Sequence, residues 1–113
     1  MNNDRAIEMG LRPAFFLPDE LFSMRFPSTG KFFWGNLLMI CIDDPDDSTT
    51  AKNEELAKIN HCSIRTVQRM LTLLKEHDFI EIHYEGKQRR IQMIGRMYEQ
   101  TKEYVKRVGY QEI

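Results

Sequence analysis

Two arginines four positions apart, Arg65 and Arg69, with Thr66 and Gln68 between them and Thr72 just beyond, form the most chemically specific group in the chain. Guanidinium forks, an amide and hydroxyls are the side chains that hydrogen-bond to base edges and phosphate oxygens. Positions three and four apart share one side of a helix, so the set becomes a continuous polar face if the backbone around it is helical. The nearest acids on either side are Glu55 and Glu76. The sequence therefore predicts a face with no carboxylate to repel a phosphate backbone. A second basic group, Lys87, Gln88, Arg89 and Arg90, follows some twenty residues later.

The intervening pattern supplies the elements that would hold both groups. Asn53 suits the cap of a short helix whose apolar positions Leu56 and Ile59 share a face, and Asn60-His61 ends it. After a turn of about three residues, Ser63 stands where an N-cap belongs, its hydroxyl able to accept from the amide of Thr66. The second helix then starts at Ile64. Val67, Leu71 and Leu74 repeat at i, i+4 and i+7 with Met70 beside them, which assigns them to the core and leaves Arg65, Thr66, Gln68, Arg69 and Thr72 outside. From Phe79-Ile80 onward the period changes to two. Ile80, Ile82 and Tyr84 alternate with Glu81, His83 and Glu85, Gly86 marks a hairpin turn, and Ile91 and Met93 answer on the return. The basic residues at 87 to 90 thus occupy the tip and descending edge of a hairpin. Such an edge suits a minor groove or the phosphates beside it, although charged edges also serve simply to block sheet-to-sheet association.

Here the chain resembles the winged helix-turn-helix family. LAKINHCSIRTVQRML, residues 56 to 71, is similar to its signature of Leu-Ala, a turn, Ser-x-x-Thr-Val and an apolar follow-on, and the likeness runs from about Pro27 to Ile94. It departs at His61, where the family usually has Gly, so a left-handed backbone there must be carried by a less permissive residue. The resemblance implies a mainly α fold with a small β-hairpin, in which the helix from Ile64 to His77 enters the major groove of double-stranded DNA. Arg65, Gln68 and Arg69 would then meet base edges or phosphates, with Ser63, Thr66 and Thr72 on the backbone and the wing residues Lys87, Gln88, Arg89 and Arg90 alongside. An aromatic-Leu-Pro-x-x-Leu-Phe run ahead of the first helix looks like the entry to the DNA-binding domains of plasmid and phage replication initiators. It implies a role in replication or transfer of a mobile element, and the motif itself is equally compatible with transcription regulation.

The rest of the chain divides around that domain. Residues 1 to 27 form a polar arm and an aromatic extension, Ala14 to Pro27, too apolar for a free tail and expected to fold back. Residues 28 to 94 form the domain, opening with a long helix from Ser28 to Ile42 that is capped by Ser28 or Thr29. Phe32, Phe33, Trp34, Leu37, Leu38, Met39, Ile40, Cys41 and Ile42 cover most of its circumference, which predicts burial on most sides. A strand at Thr49 to Ala51 is expected after it. Residues 95 to 113 carry a last helix, Arg96 to Val108, with a stripe of Met97, Tyr98, Thr101, Tyr104, Val105 and Val108. That stripe packs either on the domain's own first helix or on its copy in a homodimer, which would read two half-sites.

Composition sets the outer limits. The 113 residues carry a formal charge of −1, which argues against a general nucleic-acid binder and makes distribution matter more than sum. Ten bases against seven acids from His61 onward leave +3, so the first sixty residues carry −4. No apolar run approaches a membrane span and no signal segment opens the chain, which reads as a soluble, cytoplasmic protein. Cys41 and Cys62 do not make a disulfide framework. Cys62 lies beside a helix N-terminus, where thiolates are favoured, but both cysteines read better as small packed hydrophobes. Asp44, Asp46, Ser48, Thr50 and Glu55 fall at calcium-loop spacing. Thr49 occupies the position that needs Gly, however, so a solvated acidic loop is expected and no metal. His77 and His83 lack ligand spacing, and there is no phosphate-binding Gly-rich loop. The chain is thus expected to be no enzyme, with no cofactor and no evident small-molecule ligand. The alternative to DNA binding is a winged adaptor that binds protein through the aromatic segment or the last helix.

Overall fold

The computed structural model describes residues 28–108. The arm and the aromatic extension lie outside the described residues. Within them the chain runs α1 (Ser28–Cys41), β1 (Ser48–Thr49), α2 (Asn53–Ile59), α3 (Ile64–Glu76), β2 (Ile80–Glu85), β3 (Gln88–Met93) and α4 (Arg96–Val108). The result is a mixed α/β domain of four helices and one antiparallel sheet in the order β1-β3-β2. The sheet has three strands where a hairpin was the main expectation. Its edge strand β1 begins one residue and ends two residues earlier than anticipated, pairing Ser48 with Gln92 and Thr49 with Ile91. None of the described helices is long and apolar enough to cross a membrane.

α1 is the axis of the core. Phe33, Trp34, Leu37, Leu38 and Cys41 are buried, and they share one core cluster with Leu56 from α2, Val67, Met70, Leu71 and Leu74 from α3, Ile80, Ile91 and Met93 from the sheet, and Tyr98 and Val105 from α4. The apolar stripe of α4 is therefore largely consumed within its own chain, leaving Tyr104 38% exposed. Three apolar residues of α1 depart from the expectation of near-complete burial: Phe32 is 47% exposed, and Met39 and Ile40 are only partly buried. The helix also begins at Ser28, so Ser28 and Thr29 both belong to its first turn and neither stands at its cap.

Both ends of α3 are fixed by backbone geometry. At its start the Ser63 hydroxyl accepts from the Thr66 amide at 3.1 Å and donates to the Thr66 hydroxyl at 3.0 Å. The turn before it closes α2 with the two bonds of a Schellman motif: the Cys62 amide donates to the Ala57 carbonyl at 3.0 Å and the His61 amide to that of Lys58 at 3.3 Å. This closure puts the intervening residue in the left-handed region, and His61 has φ 51°. α3 ends the same way. Phe79 donates to Leu74 at 2.9 Å and Asp78 to Lys75 at 3.1 Å, with Asp78 at φ 60°. In both motifs a non-glycine residue holds the position that glycine fills with least strain. The side chain of Asn60 adds a brace, receiving from Asn36 of α1 at 2.8 Å and donating to the Leu56 carbonyl at 2.9 Å.

α2 starts differently from the sequence expectation. Its cap is Lys52, whose amide donates to Glu55 Oε1 at 3.2 Å, and Asn53 is released for another partner described below. The acidic loop is also less solvated than its composition suggests. Asp44 Oδ2 accepts from the amides of Asp46 and Ser48 and from the Ser48 hydroxyl, and these amides hold its carboxyl below the usual range. Asp47, the third non-glycine residue at positive φ, accepts from the Tyr98 hydroxyl at 2.7 Å and from Lys102 at 2.6 Å. Its carbonyl takes the Met93 amide at 2.9 Å. One residue thereby ties the loop to both the sheet and α4.

Two stability predictions follow from these contacts. Replacing His61 by glycine removes a left-handed penalty of about 1 kcal/mol, partly offset by the greater freedom of the unfolded chain. The variant should melt a few degrees higher in a thermal scan. For Asp47, partial burial opposes ionisation, but hydrogen bonds from Lys102 and Tyr98 and the Lys102 charge outweigh it and lower the carboxyl pKa. A carboxylate depressed in the folded state contributes stability above its unfolded value, near 4, and loses it as pH falls through the folded value. Lys102 is raised, chiefly by its hydrogen bond to Asp47, so its contribution is complete below its unfolded value, near 10, and fades as pH rises through the folded one. Asp47→Asn, which tolerates the same backbone, should cost about 1–2 kcal/mol at pH 7 in a urea titration. The gap to wild type should narrow below pH 4.

Candidate nucleic-acid interface

The burial of Val67, Met70, Leu71 and Leu74 determines which residues α3 presents outward. Arg65, Gln68, Arg69 and Thr72 are exposed and Thr66 is half-buried. Among the described residues neither Arg65 nor Arg69 enters an ion pair. The three hydroxyls expected at the phosphate backbone have internal partners as well. Ser63 and Thr66 bond each other across the cap, and Thr72 donates to the Gln68 carbonyl at 3.0 Å. Each hydroxyl oxygen keeps acceptor capacity, but the donor directions of Ser63 and Thr72 are spent. The face is also not free of acid. Glu76 is exposed and lines the same clefts as Gln68 and Thr72. At 100° per residue it falls beside Arg65 and Thr72, a position readable from helical spacing alone. It ends the phosphate-compatible surface at the last turn and confines it to the N-terminal part of α3.

The hairpin is in register as its alternation implies, with Ile80 opposite Met93 and Ile82 opposite Ile91. Gly86 alone of the two loop residues has positive φ, at 64°, the pattern of a type II′ turn that places Gly first. The four basic-edge residues, which read as one unit in the sequence, separate in the structure. Lys87 and Gln88 stand exposed at the tip. Arg89 faces α2 and α3, half-buried, its guanidinium donating to Asn53 Oδ1 at 2.7 Å and to the Ala51 carbonyl at 2.9 Å. Arg90 faces the other side of the sheet, where it donates to the Ser48 hydroxyl at 2.8 Å and lies 3.5 Å from Glu85. Adjacent residues of a strand point to opposite faces, which accounts for the split. Arg89 retains donors beyond the two it uses, so it still presents positive charge, from a fixed position.

α3 and the hairpin bound a continuous cleft. Ile64, Gln68, Thr72 and Lys75 line it on the helix side, Tyr84, Lys87 and Arg89 on the hairpin side, and Asn53 at the floor. Two large apolar side chains are exposed within it, Ile64 at 42% and Tyr84 at 69%. Neither was singled out as a site residue from sequence. Alternation places Tyr84 on the side of Ile80 and Ile82, but it extends past the end of the core and is exposed.

Among the described residues no three His, Cys, Asp or Glu side chains converge on a metal-sized site. Burial, reinforced by Asp44 and Asp47, pushes the Cys41 thiol up to about 12, and Cys62 packs half-buried against the core.

No family model, curated protein or solved structure matches the chain.

The split of the basic edge has a direct test. Arg89→Ala strips Asn53 and the Ala51 carbonyl of a charged donor and should lower stability by about 1–3 kcal/mol. Lys87→Ala, at an exposed tip, should stay within about 0.5 kcal/mol of wild type. Denaturant titration of the two variants separates a strut from a free cation, and equal losses would refute the distinction.

Proposed function

We propose that this chain is a sequence-specific double-stranded DNA-binding protein of the winged helix-turn-helix type, with α3 in the major groove and the hairpin beside it. The observation that carries the reading is the exposed row of Arg65, Gln68 and Arg69 on a helix whose opposite side is locked into the core. Rigid presentation matters, because base readout requires donors held at fixed offsets. Further support comes from the element order, in which a helix, a short strand, two helices joined by a tight turn and a hairpin succeed one another.

The division of labour follows from side-chain chemistry. Arg65, Gln68 and Arg69 face base edges and phosphates. Ser63, Thr66 and Thr72 lie against the backbone and act mainly through acceptor-side or water-mediated contacts. Lys87 and Gln88 reach out from the tip, while Arg89 and Arg90 supply charge from anchored positions. The biological setting proposed is replication or transfer of a mobile element, or control of transcription. Two chains related by a two-fold axis would read inverted half-sites.

Selection from a random duplex library at about 150 mM salt, followed by titration at several salt concentrations, tests this. The expected result is an enriched motif whose preference is lost with Arg69→Ala, while Lys87→Ala weakens all duplexes alike and lowers the salt slope by about one. Inverted copies one helical turn apart would report the dimer. Equal, sequence-blind losses from both variants would refute the division of labour. No salt-dependent binding at all would replace the reading with that of a protein adaptor.

A further inference from the structure

The cleft between α3 and the hairpin contains a pairing of side chains that phosphate binding does not explain. Ile64, the first residue of α3, is 42% exposed, and Tyr84 on the facing strand is 69% exposed. Both border the same space as Gln68. Of the large apolar side chains exposed among the described residues, Phe32 and Tyr104 lie on α1 and α4, away from this cleft. Apolar surface left in water is unfavourable in proportion to its area. Here two such residues flank an amide in a cleft that also holds the cations Lys87 and Arg89 and the acid Glu54.

Base-pair chemistry distinguishes the ligand that such a trio fits. An amide offers a donor and an acceptor side by side, the complement of adenine N7 and N6–H in the major groove, and thymine alone among the bases presents a methyl group there. A G·C pair offers neither that bidentate match to an amide nor an apolar contact. Ile64 precedes Gln68 by one helical turn, about 6 Å along the axis, which is less than two base steps of roughly 3.4 Å. Both side chains can therefore engage the same or neighbouring pairs.

We infer that Ile64 and Gln68 make the interface selective for A·T pairs, Gln68 by bidentate hydrogen bonding to an adenine and Ile64 by covering the methyl group of a thymine within two steps of it. The inference rests on the DNA-binding reading above and adds to it two specificity-determining roles. Tyr84 extends the apolar wall on the hairpin side, so water is displaced from both flanks of the contact. Arg65 and Arg69 lie on the adjoining strip of α3 and supply affinity that does not depend on this methyl group.

The test replaces single thymines by deoxyuridine, which removes only the methyl group, in the duplex enriched by selection with the full 113-residue chain. At one thymine the wild-type affinity should fall about fourfold, the factor that corresponds to one buried methyl group. Ile64→Ala should bind the thymine and deoxyuridine duplexes equally, with its thermal melt checked against wild type to exclude misfolding. Gln68→Ala should lose preference for the adjacent adenine, and wild type should weaken when that base is replaced by 7-deazaadenine. If an enriched duplex shows no thymine-sensitive position, or if Ile64→Ala keeps the sensitivity, the inference is wrong while DNA binding stands. If no duplex is enriched, both fall together.

Discussion

The orientation of α3 about its own axis is the constraint on which the candidate interface depends. A helix with one apolar strip can be rotated freely until that strip is buried. Val67, Met70, Leu71 and Leu74 enter a core centred on α1, and rotation then costs the exposure of several large side chains at about 1.5–3 kcal/mol each. Every residue on the outer face inherits its direction from that burial. Translation along the axis is limited as well, by the Ser63 cap at one end and the Asp78-Phe79 closure at the other. The outer face is therefore presented to solvent at an angle set by the core and not by its own charges.

Around that helix, the described chain reverses through the left-handed residues Asp47, His61 and Asp78, none of them glycine. Aspartate tolerates this region better than most residues, and histidine is also enriched there. At Asp47 the benefit is visible, because the conformation lets one residue give its carbonyl to the sheet and its carboxylate to α4. At Asp78 and His61 it is the Schellman closure itself. Strain of this kind persists only where the surroundings over-determine it, and here each site is flanked by a residue packed on the core, Ser48, Cys62 or Phe79.

Local features were legible from sequence, and long-range ones were not. The Ser63 cap, the start at Ile64, the inner positions of α3, the hairpin turn at Gly86 and the span of α4 all depend on residues within a few positions of one another, and the structure has each of them, as it has the left-handed His61 that the resemblance implied. Glu76 is equally legible from helical spacing, which places it beside Arg65 and Thr72 on the outer face. The partners of Asn53, Arg89 and Arg90 were beyond reach. An asparagine ahead of a helix looks the same whether it caps that helix or receives a guanidinium from 36 residues away. Alternation places Arg89 and Arg90 on opposite faces, but what each face meets depends on where β1 docks. The contacts of Asp47 with Tyr98 and Lys102 span more than fifty residues and leave no local trace.

The position of β1 also bears on the order in which the molecule assembles. β3 lies between β1 and β2, so Ser48 and Thr49 cannot pair until the whole stretch containing α2, α3 and the hairpin has been made. That pairing closes a loop of about forty residues for a strand of two, and loop-closure entropy weighs against it until local structure has shortened the effective chain. The helix pair and the hairpin, by contrast, join elements adjacent in sequence. The β1–β3 ladder is therefore the less local of the sheet's two pairings, two residues held across a separation that the β2–β3 hairpin does not have to span.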